Sequence, residues 1–203
     1  MKIKKVALFF IFGILLSCLI PANKVYAMDN KTLTPYEIQC QLEKIGKSYH
    51  QGDILSEEDA DFIARYAPRV DFSEMLFSSF ELTSSQKSIY GSRNVYGVSA
   101  EIYGNIWHNG TFNYNFGGNV TGHIISGQTP KKLKLIVSCQ SYGLVGGSTV
   151  LTYSDSVTNE ASYSRTVSMS KSKNYSGVAA FYVVQATLDV TTSNGNAFTI
   201  NAN

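Results

Sequence analysis

The sequence predicts a mainly β protein: an N-terminal helical hairpin followed by an antiparallel Ig-like β-sandwich, or a partly open barrel, of about eight strands. Two observations support this class. Through residues 95–203, short stretches that alternate apolar and polar residues are separated by turn residues, without helical stretches between them. Through residues 34–67, apolar residues recur at helical spacing instead. The size is that of an immunoglobulin domain, but the Cys…Trp…Cys spacing of true immunoglobulin domains is absent.

The helical hairpin is predicted within residues 28–70 by its start signals. Thr34 and Pro35 suit a capping residue followed by a proline at the first helical position. A second helix is predicted to begin after Ser56, with acidic residues in its first turn, where the helix dipole favours them. Residues 71–94 are predicted to be a docking segment and linker.

Eight strands are predicted within the β-sandwich of residues 95–203, separated by turn residues such as Gly117-Gly118. They cover residues 95–107, 111–117, 119–126, 132–141, 148–154, 161–170, 178–192 and 196–202.

Two three-residue loops that end in Asn-Gly set the predicted hairpin registers. Side chains alternate between the two faces of a strand, so a shift of the pairing by one residue would move every side chain to the other face. The register that places apolar residues on one face and polar residues on the other is therefore favoured. The first loop is His108–Gly110, with Gly110 left-handed, and the second is Ser193–Gly195. The predicted pairs are Ile106/Phe112, Gly104/Tyr114 and Ile102/Phe116 in the first hairpin, and Val190/Phe198 and Leu188/Ile200 in the last.

The first hairpin carries the candidate binding site on its polar face. Aromatic rings among amides suit a sugar, because the ring stacks on the pyranose and the amides bond to its hydroxyls. The candidate ligand-binding residues are Tyr103, Asn105, Trp107, Asn113 and Asn115. The alternative is that the helices cover this face and that Trp107 belongs to the core.

Residues 1–27 have the features of a secretory signal peptide. A basic start precedes the apolar run 6–20, and small residues lead to Ala27, after which we expect cleavage and secretion. The alternative is a lipid anchor on Cys18 at the cell surface, because Leu-Leu-Ser precedes this cysteine as in a bacterial lipobox. Removal of the four lysines of the leader changes the formal charge from +2 to −2. A nucleic-acid partner is therefore not expected.

Two cysteines remain after cleavage, Cys40 and Cys139. In an oxidising exterior such a pair suggests a disulfide, which would close a loop of about a hundred residues and stabilise the fold by about 4.7 kcal/mol. The alternative is two unrelated thiols, with Cys139 a small buried residue of its strand.

Catalytic and metal signals are weak. The three histidines have no metal-ligand spacing, and no Cys-x-x-Cys pair or Gly-x-Ser-x-Gly elbow is present, so neither a metal nor a cofactor is predicted. The alternation of hydroxyl and apolar residues over 162–170 also occurs in strands that enter membranes.

The leading hypothesis is a secreted or cell-surface, non-catalytic binding module that contacts a glycan or a protein surface. The alternatives are a secreted membrane-active protein, pore-forming or bacteriocin-like, and a small hydrolase. A membrane partner is expected only with lipidation or pore formation, and no oligomeric state is indicated.

Overall fold

Two four-stranded antiparallel sheets form the body of the protein in a computed structural model that describes residues 33–70 and 85–202. The strand order is β1-β2-β3-β6 in one sheet, here called the front sheet, and β5-β4-β7-β8 in the other, the back sheet. The elements are α1 (Pro35–Ser48), α2 (Glu57–Tyr66), β1 (Ser85–Val95), β2 (Val98–Asn109), β3 (Asn113–Ser126), β4 (Lys132–Val145), β5 (Ser148–Ser162), β6 (Thr166–Ser176), β7 (Phe181–Thr191) and β8 (Ala197–Ala202).

The sheets pack face to face, with β1 over β8, β2 over β7, β3 over β4 and β6 over β5. Each strand contributes alternate side chains to the core between them, as a side-chain period of two requires. Ala100 and Ile102 of β2 thus meet Leu135 and Leu188 of the back sheet in one buried cluster. We call the end with the β2–β3, β4–β5 and β6–β7 connections the upper end.

The two helices form as the sequence predicts and cover part of the back sheet. Thr34 and Glu37 make a reciprocal capping box, in which the Glu37 N–H donates to Thr34 Oγ1 at 3.2 Å and the Thr34 N–H donates to Glu37 Oε2 at 2.8 Å. Ile63 of α2 is fully buried in a second core against Leu151 and Phe181, on the outer face of the back sheet. Residues 33–203 belong to one compact unit. Because the helices pack on the back sheet, the alternative that they cover the face carrying Trp107 is wrong.

The described residues contain eight strands, but several boundaries predicted from the sequence are wrong. Residues 85–94, assigned to a linker, belong to β1, which pairs with β2 across a Tyr96-Gly97 turn, while the rest of that segment, 71–84, lies outside the described residues. Gly117-Gly118, assigned to a turn, lies inside β3. A Cβ on Gly117 would come within 2.3 Å of the Lys171 carbonyl oxygen, so the glycine permits a close strand approach. The predicted number of strands is still eight, because β1 was not predicted and β3 was predicted as two strands.

The register of the β2–β3 hairpin also differs from the predicted one. Ile106 faces Gly118, six residues beyond Phe112, and Asn109 faces Asn115. The predicted loop His108–Gly110 is wrong. His108 pairs with Phe116 and its buried ring bonds to Tyr175, so it belongs to β2, and residues 110–112 connect the two strands. An even shift leaves every side chain on its predicted face. Gly110 is left-handed as predicted, at φ 99°.

The last hairpin has the predicted register: Val190 pairs with Phe198 and Leu188 with Ile200. The β-sandwich is thus confirmed. Its first three strands are neighbours in one sheet, whereas the first three strands of an immunoglobulin domain are divided between two sheets, so the Ig-like part of the expectation is not confirmed.

The strand predicted over 161–170 is interrupted, and β6 begins at Thr166. Tyr163 takes a positive φ of 52°. The Arg165 guanidinium donates to the carbonyl oxygens of Ile124 at 3.0 Å and Gly127 at 2.8 Å, which holds the connection between the two sheets.

The expected disulfide is not formed: Cys40 and Cys139 are both free thiols. Cys139 lies in the core between the sheets, whereas Cys40 lies on α1, outside the back sheet. Burial raises the pKa of the Cys139 thiol to about 12, so at neutral pH this group is a protonated, unreactive thiol. Cys18 and Ala27, the predicted lipidation and cleavage positions, lie outside the described residues.

Candidate functional site

The five candidate residues all lie on the outer face of the front sheet, and they alternate with buried residues such as Ile102 and Ile106. We call this surface the front face. Its outward side chains are Gln86, Ser88, Tyr90, Ser92 and Asn94 from β1; Ser99, Glu101, Tyr103, Asn105 and Trp107 from β2; Asn113, Asn115, Asn119, Thr121 and His123 from β3; and Thr166, Ser168, Ser170, Ser172, Asn174 and Ser176 from β6.

Trp107 is half-buried and held in place by an amide chain. Its indole Nε1–H donates to Asn115 Oδ1 at 2.8 Å, and Asn115 Nδ2 donates to Asn174 Oδ1 at 2.6 Å. Gly117 faces Trp107 across the strand pair and leaves room for the indole. The ring orientation is therefore fixed before any ligand arrives, which lowers the entropic cost of binding.

The remaining predicted residues join similar cross-strand bonds but do not all meet. Ser88 Oγ donates to Asn105 Oδ1 at 2.8 Å, and Ser176 Oγ donates to Asn113 Oδ1 at 2.8 Å. Asn113, however, lies at the upper end of β3, whereas Tyr103 lies in the middle of β2, opposite Thr121, because of the register shift. The site is an extended surface rather than a compact constellation.

A third aromatic residue of the front face, Tyr90, was not predicted from the sequence. Tyr90 of β1 lies directly across from Tyr103 of β2, and the two are exposed by 56% and 43%. The signal was present in the outward positions of residues 85–95, where polar residues and Tyr90 alternate with Ile89 and Gly91. It was hidden because that stretch was taken as a linker.

Sequence reasoning also separated β6 from the site. Its outward hydroxyls were interpreted only as membrane-type alternation, yet they continue the front face beside β3: Thr121 Oγ1 lies 3.1 Å from Ser168 Oγ. The partner of β3 could not be inferred from the sequence because the two strands are distant along the chain.

The front face carries almost no charge. Its ionisable groups apart from tyrosine are Glu101 and His123, whose Oε1 and Nδ1 atoms are 3.4 Å apart, with the Tyr90 hydroxyl 3.5 Å from Glu101 Oε2. Apart from Ile125 near the lower end of β3, every other described outward side chain is a hydroxyl, an amide or an aromatic ring. Such groups both donate and accept hydrogen bonds, as neutral hydroxyl-bearing ligands require.

A cleft of about 460 Å³ adjoins the front face at Trp107 and Gln86. The cleft lies beside β7 next to Ala202, which pairs with Ala186, and between α1 and the upper part of β2. It is lined by Pro35, Ile38, Gln39, Leu42, Tyr66, Pro68, Lys87, Ile106, His108, Tyr182, Val183, Val184 and Gln185, in addition to Gln86, Trp107 and Ala202.

Beneath the front face, His108 belongs to a buried polar and aromatic cluster. Its Nε2 lies 2.6 Å from the Tyr175 hydroxyl, which also bonds to Ser141 Oγ, and its ring stacks on Tyr182 at 4.0 Å. Burial lowers the His108 pKa to about 4, so the imidazole is neutral at physiological pH. Burial also raises the pKa of Tyr175. These groups fill the interior and do not reach the front face.

The other two histidines face carboxylates: His123 faces Glu101, and the exposed His50 lies 3.5 Å from Asp53. Within residues 33–70 and 85–202, no group of three His, Cys, Asp or Glu side chains is placed to hold a metal ion.

No family model, curated protein or solved structure matches this chain. None of the described helices is long and apolar enough to cross a membrane.

Proposed function

We propose that the protein is an exported, non-catalytic module that binds a neutral glycan along its front face. The observation that carries this proposal is the combination of exposed aromatic rings with a surface almost free of charge. Tyr90 and Tyr103 offer ring faces on adjacent strands, and Trp107 lies farther along the same strand as Tyr103. Hydroxyl and amide groups surround all three.

The lack of charge favours a neutral glycan over an acidic one. A sulfated or carboxylated polysaccharide calls for Arg or Lys at its anionic groups. The front face offers neither among its described outward residues, and its single acid, Glu101, would repel such a ligand. Amide side chains instead bond to sugar hydroxyls in either direction.

The cleft extends this surface at one end. Trp107 and Gln86 belong both to the front face and to the wall of the cleft. A chain lying along β2 from Tyr103 toward Trp107 would therefore reach the cleft, where Gln39 and Gln185 add further amides. We propose that it receives the end of the chain or a substituent on it.

Binding is tested by retention on insoluble neutral polysaccharides such as cellulose, chitin and neutral cell-wall glycans. We expect Tyr103→Ala and Trp107→Ala each to weaken retention by about tenfold, which corresponds to the loss of one stacking contact of about 1.4 kcal/mol. Tyr163→Ala is the matched control, because Tyr163 is 74% exposed in the β5–β6 connection at the lower end. Equal retention of all four proteins, with folding intact, would remove the proposal.

The two alternatives predict different results in the same preparations. A hydrolase acting on the front face would have to use the Glu101–His123 pair, so a Glu101→Gln variant that abolishes release of soluble sugar would favour catalysis. A pore-forming protein would release dye from liposomes. We expect neither soluble sugar nor dye release from the parent protein.

Export by cleavage after Ala27 is part of the proposal, with lipidation of Cys18 as the alternative. Mass spectrometry of the exported N-terminus separates them: a free amino terminus at Met28 supports secretion, and an acylated Cys18 supports an anchor at the cell surface.

A further inference from the structure

The upper end of the sandwich exposes aliphatic side chains on connections that carry no charge. The end of β4 at the β4–β5 turn exposes Leu144 by 60% and Val145 by 59%, and the β6–β7 connection exposes Val178 by 59%. Residues 144–149 and 176–180 contain no Asp, Glu, Lys or Arg. Single exposed aliphatic residues need no explanation, but a group of them marks a contact surface.

Backbone packing brings these two connections together. A Cβ placed on Gly143 would lie 2.6 Å from the carbonyl oxygen of Val178. Val178 therefore lies beside the end of β4 that carries Leu144 and Val145. These two side chains point to opposite faces of the β4–β5 hairpin, so the three aliphatic residues flank its tip from different sides.

This surface projects from the molecule. Gly146 and Gly147 form the tip of the β4–β5 turn, with φ angles of 60° and 86°. A Cβ on either residue, or on Gly177, would meet nothing within 4 Å. A projecting tip offers no pocket for the buried aromatic or arginine anchors that dominate protein–protein interfaces, and Leu and Val are under-represented among such anchors.

The charges that adjoin the surface are few and of both signs: Arg69 pairs with Phe181 at the start of β7 and is exposed, and the other charges are acidic. Ile54 of the α1–α2 connection pairs with Val150 of β5 and is 64% exposed, and Asp53 and Glu57 lie close to it in sequence. Anionic lipid attracts clusters of Lys and Arg, which these connections do not contain, and acids near it would be repelled. The surface is therefore suited to uncharged or zwitterionic headgroups.

We propose that the β4–β5 and β6–β7 connections dock the protein on a bilayer of neutral lipid, with Leu144, Val145 and Val178 entering the boundary between headgroups and acyl chains. Apolar side chains buried about 5–10 Å into this boundary are what hold peripheral proteins on membranes. The docking surface shares no residue with the front face, so this inference goes beyond glycan binding. The protein stays on the surface and opens no pore.

Flotation with phosphatidylcholine vesicles tests this, using the chain from Met28 onward, because the described residues from Leu33 onward belong to one compact unit. We expect the protein to float with the vesicles and added phosphatidylglycerol not to strengthen binding. Replacing Leu144 and Val145 together by Ser should lower the partition coefficient by about tenfold or more, given the apolar groups removed. Val178→Ser should lower it by less.

The matched control is Ile125→Ser, since Ile125 is an aliphatic residue 50% exposed near the lower end of β3. It should float as the parent does, and so should Tyr103→Ala, which keeps this test separate from the glycan site. Near-ultraviolet circular dichroism verifies that each variant is folded.

The proposal is overturned if the parent does not float, if the Ser variants float unchanged, or if Ile125→Ser loses as much binding. Self-association without lipid that the same substitutions abolish would assign the surface to a second copy instead, and release of enclosed dye would replace docking by pore formation.

Discussion

The two outer faces of the sandwich belong to sheets of four strands each, yet they meet their surroundings in different ways. The back face is covered by α1 and α2 at its upper part, and farther down it carries charged side chains, with Lys132 and Lys134 at 2.8 Å and 3.7 Å from Glu160. The front face has neither a covering element among the described helices nor such charge pairs. This protein solvates an ordinary sheet surface with Lys and Glu, so the aromatic and amide composition of the front face calls for another explanation.

The largest effect that separates the two faces should come from the covered one. Ile63 is fully buried between α2 and the back sheet, so Ile63→Ala removes packed methyl groups and leaves a cavity. We expect a loss of about 2–5 kcal/mol in the free energy of unfolding, measured by urea denaturation. Tyr103→Ala on the front face should change it by less than about 1 kcal/mol. Similar losses for the two variants would mean that the front face is also a packing surface.

Acid should destabilise the interior that both faces share. The folded state holds the His108 pKa at about 4, below the ordinary value of 6.5, because burial disfavours the charged ring. Between these values the unfolded chain binds the proton and the folded chain does not, so stability is full above about pH 6.5 and falls as the pH decreases toward 4. The loss from this group levels off below pH 4 at roughly 3 kcal/mol.

Urea midpoints measured from pH 7.5 to 4 check this dependence. The variant His108→Gln should flatten the curve between pH 6.5 and 4 relative to that of the parent protein. A curve that His108→Gln does not flatten would place the titrating group elsewhere.

Local signals in the sequence were sufficient for the elements whose boundaries are chemically marked. The capping box at Thr34 and Glu37 and the loop at Ser193–Gly195 fixed a helix start and a hairpin register correctly. Both depend on residues within a few positions of one another. The inward and outward side chains of β2 and β3 were also predicted correctly, because a register shift by an even number of residues leaves each side chain on the same face of the sheet.

The parts that could not be predicted depend on distant contacts. Gly117-Gly118 has the composition of a turn, and only the approach of β6 at Lys171 explains why glycine is needed inside β3. Tyr90 could not be placed beside Tyr103 without the β1–β2 pairing, and β6 could not be joined to the site without the β3–β6 pairing. The sequence therefore predicted which face carries the candidate site, but not that β1 and β6 also contribute to it.

Two buried tyrosines, one in each core, should respond in opposite ways to loss of the hydroxyl. The Tyr175 hydroxyl between the sheets bonds to Ser141 and His108, so Tyr175→Phe leaves buried partners unsatisfied and should cost about 1–3 kcal/mol. The Tyr142 hydroxyl beneath the helices is buried and has no hydrogen-bond partner among the described residues. We expect Tyr142→Phe to leave the free energy of unfolding unchanged or to raise it by up to about 1 kcal/mol. Urea denaturation of both variants decides this, and a loss for Tyr142→Phe equal to that for Tyr175→Phe would contradict it.

The smallest expected effect on stability tests why the front face lacks charge. Ser170 on β6 and Ser156 on β5 are outward, exposed serines on the edge strands of the two sheets. Lysine is well tolerated on edge strands, so Ser170→Lys and Ser156→Lys should each change the free energy of unfolding by less than about 0.5 kcal/mol. If charge is absent from the front face because of its ligand, Ser170→Lys alone should weaken retention on a neutral polysaccharide, because a desolvated ammonium group cannot be satisfied there as it is in water. Destabilisation by Ser170→Lys without any change in retention would attribute the absence of charge to folding, and the contrast between the two faces would lose its functional meaning.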